Sequence, residues 1–493
     1  MRLRPAMAAV ALLAVLAAGL GAGAPSTYGG HAAVDEPEYL LTALSLAEDR
    51  SFDIADEIAE RRFAPYHDAD LPVQTSVRPD GSRISPHDPL LPLLLAVPVA
   101  LGGWLAAKLT VAALAGMLAA LLLWVAVRRF AVPLRLAAPG VAMAACTAPL
   151  AVYGQQVYPE LPAALATTVA VAGLTAPRRS AGSLATVAGG VVALPWLSVK
   201  YVPVAAALAV LGLVRLHRPC RLCRRCRPCR LCRRCRRQAA ALLGVLAAAG
   251  LGYLLVHRLV WGGWTVYASG DHFERTGEFG VVGLRPDFPG RTTRLLGLLV
   301  DRDFGLAAWQ PAWLLLVPAL VALLAARPRG WGALALPLAA GWATATWVAL
   351  TMHGFWWPGR QVVVVLPLAV LAVLVGLSRH PRVVPVAALL AAAGVAYYAV
   401  LLVTGWLGDT VWVLAPDELG LHPPAGWLLP DDRDLTAVDR AKYAAWALVA
   451  AAAAALAWRA ARRAAPRAAS GTAPSTPDPV PRPAAGPPVS APR

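Results

Sequence analysis

The sequence predicts an all-α polytopic membrane protein of about twelve transmembrane helices (eleven to thirteen), with a large first extracytoplasmic loop carrying interfacial helices. Three observations carry this expectation. Hydrophobic residues make up 58% of the 493 residues and the mean hydropathy is +0.57, a composition of the membrane class rather than of several soluble domains. The apolar residues gather in runs long enough to span. Arginines fill one set of gaps between the runs and carboxylates the other, the signature of loops sorted across a membrane. The formal net charge of +17 therefore encodes orientation and does not call for a nucleic-acid partner.

Residues 5–24 follow Met1-Arg2-Leu3-Arg4 and read as a first span, with Gly21-Ala22-Gly23-Ala24 leaving signal-peptide cleavage as the alternative. Further spans read at 105–127, 137–155, 160–176, 182–198, 200–216, 239–257, 305–326, 332–351, 361–378, 382–404 and 442–460. With the N-terminus inside, Arg128-Arg129, Arg178-Arg179, the Arg/Cys block, Arg327-Pro328-Arg329 and Arg379-His380-Pro381-Arg382 all fall in the cytoplasm. Of 28 acidic residues only Asp478 then lies inside. Residues 89–103 must not cross, and Pro89, Pro92, Pro98 and Gly102-Gly103 suit a broken interfacial helix. The chain divides accordingly into 1–24, a first transmembrane helix or signal-like anchor; 25–104, the outer loop; 105–463, the membrane domain; and 464–493, a Pro/Ala/Ser-rich disordered cytoplasmic tail. The expected location is the plasma membrane, multi-pass, with both termini cytoplasmic.

The first outer loop, 25–88, holds 13 acidic and 5 basic residues, with Leu40, Leu41, Leu44 and Ala47 at helical spacing. A short amphipathic helix on the membrane surface is expected there. Other outer loops run from Trp261 to about Phe304 and from Gly405 to Arg440.

Six of seven cysteines lie between Cys220 and Cys235, in a nine-residue unit repeated without change over 218–235. Paired CxxC spacings could hold zinc. Eleven arginines and no acid between 215 and 237 favour instead a repeat that touches anionic headgroups. No P-loop, dinucleotide fingerprint or serine-hydrolase elbow is present, which disfavours a soluble nucleotide-sugar enzyme.

Candidate chemistry gathers on the outer side. Asp35 suits either a helix N-cap, with Pro37 in the first turn, or a general base or metal ligand whose burial raises its basicity. Arg360, behind Trp356, Trp357 and Gly359, could grip a phosphate bidentately or snorkel within an aromatic belt. Lys200 is a phosphate contact or an interfacial anchor. Glu160 is a site acid or a helix cap, and His353 a phosphate or metal ligand or an interfacial polar group.

Asp35-Glu36-Pro37-Glu38-Tyr39-Leu40-Leu41 with Ser45-Leu46 and Asp49 resembles the first outer loop of polyprenyl-phosphate-sugar-dependent glycosyltransferases of fold class C (GT-C, glycosyltransferase family 39-like). Protein O-mannosyltransferases and lipid A aminoarabinose transferases belong to that class. His87-Asp88-Pro89-Leu90-Leu91-Pro92, Tyr158-Pro159-Glu160-Leu161-Pro162, Leu194 to Tyr201, Asp301 to Pro311 and Trp356-Trp357-Pro358-Gly359-Arg360 continue the resemblance in order, over roughly residues 5–378. Where some members carry a lysine before the proline pair, this chain has His87-Asp88.

The resemblance implies a membrane glycosyltransferase, inverting and hexosyl- or mannosyltransferase-like, that moves a sugar from a polyprenyl phosphate to an acceptor hydroxyl on a lipid, glycan or protein at the outer face. Asp35 would be the catalytic base or a metal-associated carboxylate, with Glu36 beside it. Arg360, Lys200 and His87 would hold the donor phosphate, with Glu160, Tyr158, His353 and Trp357 as substrate-site candidates. A divalent metal ion is the one cofactor this leaves open, its ligands unassigned. The rivals are a transporter or lipid flippase, for which ionisable groups within spans would speak, and a catalytically silent scaffold.

Overall fold

The computed structural model describes residues 2–71, 74–75, 77–217, 230–269, 288–413, 423 and 425–464, with backbone alone at 230–234 and 464. The Cys/Arg repeat up to residue 229, the middle of the loop that follows Trp261 and the tail beyond 464 lie outside the described residues.

The described chain is helical, with isolated β-bridges joining Thr27 to Gly30, Gly30 to His67 and Asp53 to Ile84. In order come α1 (Leu3–Gly19), α2 (Glu36–Glu48), α3 (Ala55–Ala59), α4 (Leu90–Arg129), α5 (Leu134–Ala145), α6 (Leu150–Tyr153), α7 (Glu160–Leu174), α8 (Ala181–Leu197), α9 (Val202–His217) and α10 (Arg230–Val260). Then follow α11 (Phe288–Arg291), α12 (Arg294–Val300), α13 (Leu306–Trp309), α14 (Leu316–Ala326), α15 (Trp331–Ala343), α16 (Leu366–Arg379), α17 (Val384–Leu407) and α18 (Ala437–Ala464).

Among the described residues, six helices are long and apolar enough to cross a membrane: Leu90–Arg129, Val199–His217, Cys235–Val260, Arg360–Arg379, Pro381–Leu407 and Ala437–Arg463. Shorter apolar helices, Leu3–Gly19, Leu134–Ala145, Glu160–Leu174, Ala181–Leu197 and Pro311–Ala326, accompany them. The protein is thus an all-α membrane protein, and α1 and α2 pack along α4 while α7 packs along α8.

Each expected span has a helical counterpart, though several are interrupted. The 137–155 stretch breaks between α5 and α6 just before Pro149, and 305–326 is split where Pro311 follows α13. Proline removes the N–H that would continue the helical ladder. The 332–351 stretch ends in a π-turn over Thr344–Val348. Within α4, Gly102 and Gly103 leave helical geometry and Gly103 has φ +61°, a conformation that favours glycine. Leu90–Leu101 is thereby set apart from the helix beginning at Trp104, as the broken-helix reading of 89–103 anticipates.

One expectation needs correction. Helix α2 exists where the Leu40/Leu41/Leu44/Ala47 spacing puts it, but it is enclosed rather than laid on a surface, because Glu36 through Ala43 are all buried. Its acidic first turn finds partners inside the protein. Glu36 accepts hydrogen bonds from the Ala33 and Val157 amides at 3.1 and 2.8 Å, and Lys108 of α4 lies 3.7 Å away. That fully buried ammonium also donates to Ser26 Oγ at 3.0 Å and to the His31 carbonyl. A buried charge needs such partners, and together they fasten the chain after α1, the start of α2 and the middle of α4.

Candidate active site

The local sequence brings Asp35 to the mouth of α2. Pro37 sits in the first turn and Glu36 and Glu38 flank it, which suits the positive end of the helix dipole. The Asp35 side chain makes no capping hydrogen bond. It turns to Arg360, whose Nη2 donates to Asp35 Oδ2 at 2.6 Å.

Arg360 is delivered by the turn at Gly359, whose φ of +86° favours glycine and whose Cβ, if present, would lie 2.8 Å from Leu306 and 3.2 Å from Pro149. The guanidinium is buried, not snorkelling. Its Nε donates to Glu160 Oε1 at 2.9 Å, and its Cζ lies 4.4 Å from the Tyr158 ring centroid and 5.2 Å from that of Trp356. This is a cation held between aromatic faces and gripped by two carboxylates. Glu160, first residue of α7, accepts from Lys200 Nζ at 2.6 Å on the same oxygen. Its role is thus ion pairing more than capping.

His87 completes the group. Its Nε2 is 3.8 Å from Asp35 Oδ2, its Nδ1 is 3.2 Å from Ser85 Oγ, and its ring meets Tyr39 edge-on at 4.3 Å. Burial alone would raise the Asp35 carboxyl, but the Arg360 guanidinium and then His87 overcome it and hold the group well below the usual carboxylate range. Asp35 is therefore not a strengthened base in this arrangement, as burial against an apolar surface would make it; its neighbouring charges dominate. One turn along, burial pushes the Glu38 carboxyl up. Glu160 Oε2, Tyr201 Oη and Trp356 Nε1 are buried around the guanidinium without a hydrogen-bond partner, the sort of surroundings a polar ligand would satisfy.

The structure brings Asp35, His87, Tyr158, Glu160, Lys200 and Arg360 together. Glu36 adjoins them in sequence, but its carboxylate is committed to two amides and Lys108. Trp357 belongs to the core: it is 2% exposed, its ring packs 4.7 Å from Trp309, and its carbonyl accepts the Tyr153 hydroxyl at 2.5 Å. His353 lies elsewhere, edge-on to Phe304 at 4.9 Å and 3.9 Å from Asp301 Oδ2.

Sequence reading missed a clamp beside the site. Asp88 Oδ1 accepts the Tyr253 hydroxyl at 2.9 Å and faces His257 Nε2 at 3.0 Å, while Oδ2 accepts the Val199 amide at 2.8 Å. Tyr253, His257 and Trp261 stack in a column with centroid spacings of 3.8 and 4.6 Å. Val199 precedes Lys200, so Asp88 fixes the turn that presents the ammonium. Tyr253 and His257 are four apart on α10, a spacing that puts them on one helix face and that was readable in the sequence.

The metal ion implied for Asp35 does not fit these residues. Arg360 and His87 already face its carboxylate, and the other carboxylate on Arg360 is shared with Lys200, so positive charge stands where a cation would sit. A set of carboxylates close enough to share an ion, Asp49, Asp56 and Glu57, lies at the other end of α2. There burial, and then Asp56, push the Glu57 carboxyl up to about 7.

No model of a known protein family matches the chain, and no curated protein matches it. Among solved structures, 93% of this chain is similar to 72% of the chain in the crystal structure of ArnT from Cupriavidus metallidurans bound to undecaprenyl phosphate, at 16% sequence identity and a TM-score of 0.45.

Proposed function

We propose that the protein is a membrane glycosyltransferase, hexosyl- or mannosyltransferase-like and inverting, that transfers a sugar from a polyprenyl phosphate to an acceptor hydroxyl on a lipid, glycan or protein. The observation that carries this reading is the Arg360 fork: one guanidinium bridges Asp35 and Glu160, with Lys200 on the same Glu160 oxygen. Two cations suited to a phosphate thus stand beside a carboxylate suited to a hydroxyl. In the reaction the acceptor oxygen bonds to the sugar's anomeric carbon as the bond from that carbon to the phosphate oxygen breaks. The electron pair leaves on the polyprenyl phosphate, and the acceptor proton passes to Asp35. Attack opposite the leaving group inverts the anomeric centre.

Donor binding also prepares the base. A phosphodiester competes with Asp35 for Arg360, and as the guanidinium turns to phosphate oxygens the charge that depresses Asp35 is withdrawn. Asp35 then gains basicity only when a donor is in place. Arg360 and Lys200 meanwhile stabilise the charge that grows on the departing phosphate.

Purified full-length protein in lipid nanodiscs, given labelled polyprenyl-phosphate sugars and candidate acceptors, tests the reading. Wild type yields labelled product and free polyprenyl phosphate, while Asp35→Asn, folded to the same unfolding midpoint within a few degrees, loses about 10²–10⁴-fold in kcat. Movement of intact donor between leaflets without product would favour a flippase; neither activity would favour a silent scaffold. The outer placement of 25–88 is checked by labelling an engineered Cys at Ser51 in a chain stripped of native cysteines, with labelling confined to lysed cells the refuting result.

A further inference from the structure

Away from the Arg360 fork, the C-terminal end of α2 and the start of α3 converge on a second polar group. We infer that Asp49, Asp56 and Glu57 form a binding site for a hard divalent cation of the calcium class within the first outer loop. One ligand oxygen from each residue lies within 4.8 Å of the others. The cluster alone would say little, since Asp49 and Asp56 are exposed. Glu57 makes the difference: it is only 3% exposed, faces the two aspartates, and neither of its carboxylate oxygens has a hydrogen-bond partner. Burying a carboxylate without a partner is costly, and here two further acids adjoin it.

Nearby groups do not answer that need. The Ser45 hydroxyl lies close to the Glu57 carboxyl but directs its proton to the Ser51 and Asp53 carbonyls at 3.2 and 2.7 Å. Arg62 pairs with Glu48 at 2.8 Å and approaches Glu60 at 3.9 Å, and Arg61 pairs with Asp70. Among the described residues none of the three acids enters an ion pair with Lys, Arg or His. Three carboxylates with no nitrogen or sulfur ligand select a hard cation. Among hard cations calcium suits a loop site, because it accepts about six to eight oxygen ligands in flexible geometry whereas magnesium demands a near-ideal octahedron. It also tolerates the irregular shells, completed by carbonyls and water, that a loop provides.

Such an ion would tie the end of α2 to α3. The segment between them is already anchored to the far side of the loop, with Asp53 Oδ1 accepting the Arg83 amide at 2.7 Å and the Ile54 amide donating to the Arg83 carbonyl at 2.9 Å. Helix α2 is 13 residues long, about 20 Å at the helical rise, so the cation sits a helix length from Asp35 and serves the loop rather than the transfer.

Equilibrium dialysis with radioactive calcium, on the full chain in zwitterionic nanodiscs, tests the site. Wild type should take up one calcium saturably, with an affinity of about 10⁻⁴–10⁻³ M as for extracellular calcium modules, and its unfolding midpoint should rise with calcium relative to chelator. Glu57→Gln and Asp49→Asn should each weaken uptake by at least about tenfold and abolish the midpoint rise. Asp70→Asn, in the same loop but outside the triad, should keep both. In chelator Glu57→Gln should be as stable as wild type or more so, since an amide replaces an unpartnered buried carboxylate; this separates lost binding from lost folding. No saturable uptake by wild type, or equal uptake by wild type, Glu57→Gln and Asp49→Asn, would overturn the proposal, and a preference for magnesium would overturn the choice of ion.

Discussion

Replacing Arg360 by lysine is the sharpest probe of the fork. The guanidinium makes two charge-assisted hydrogen bonds in different directions, to Asp35 Oδ2 at 2.6 Å and to Glu160 Oε1 at 2.9 Å. Its side chain is only 10% exposed, so solvent does little to screen them. A lysine ammonium keeps the charge but not the planar fork, and in this crowded pocket it serves one carboxylate well. Losing one charge-assisted hydrogen bond costs about 1.5–3 kcal/mol, which for a phosphate gripped by the same fork is about 10–150-fold in affinity. Arg360→Lys should therefore raise the donor KM by that factor and lower the unfolding midpoint. With Asp35 less fully paired, the acid limb of kcat/KM should also move up toward the ordinary carboxylate range. The assay is sugar transfer against donor concentration at several pH values on protein of verified fold. A folded Arg360→Lys with wild-type donor KM and an unmoved acid limb would refute both the phosphate role and the charge coupling.

Three further outcomes are expected. Because Asp35 is depressed, its ionised form persists below the ordinary carboxylate pKa, about 4, while the stability it lends is full above that value and drains away as pH falls from it through the lower folded value; kcat/KM should stay flat just below the ordinary value while kcat, which reports the donor-bound state, falls in milder acid, and coincident limbs would contradict donor-released basicity. Asp88→Asn should cost about 1–3 kcal/mol by disturbing the bonds to His257, Tyr253 and Val199, raising the donor KM more than it lowers kcat because Lys200 is displaced; an unchanged midpoint and KM would remove the clamp from the account. Gly359→Ala should cost about 1–2 kcal/mol for the left-handed backbone alone, plus the clash with Leu306 and Pro149, so a midpoint equal to wild type would show the turn to be dispensable.

Hydropathy and charge segregation made the helical segments legible, because burying a backbone in lipid forces helix wherever an apolar run is long enough. They could not reveal interruptions such as the π-turn at Thr344–Val348 or the depth of α2, which depend on tertiary partners. Asp35, Arg360, Lys200 and Glu160 stood out as charges at the ends of apolar runs, yet their mutual pairing joins residues up to 325 apart and has no local signature. Glu36 and Trp357 show the reverse: residues inside conspicuous motifs whose side chains serve the packing of the motif itself. His257 escaped notice as a span-end polar group, although Tyr253 one turn earlier marked the face on which a buried acid such as Asp88 would be met.

The ion pair between Asp35 and Arg360 also sets an order of assembly. Synthesis reaches Asp35 early and Arg360 only 325 residues later, an interval of about 15–65 s at ordinary elongation rates. Throughout that time the nascent chain carries an acid at the mouth of α2 with no guanidinium to neutralise it, and a product truncated before the Trp356-Trp357-Pro358-Gly359-Arg360 turn keeps it so permanently. The pocket is complete only once the segment after Gly359 is in place, and until then Asp35 lacks the guanidinium that dominates its surroundings in the finished chain.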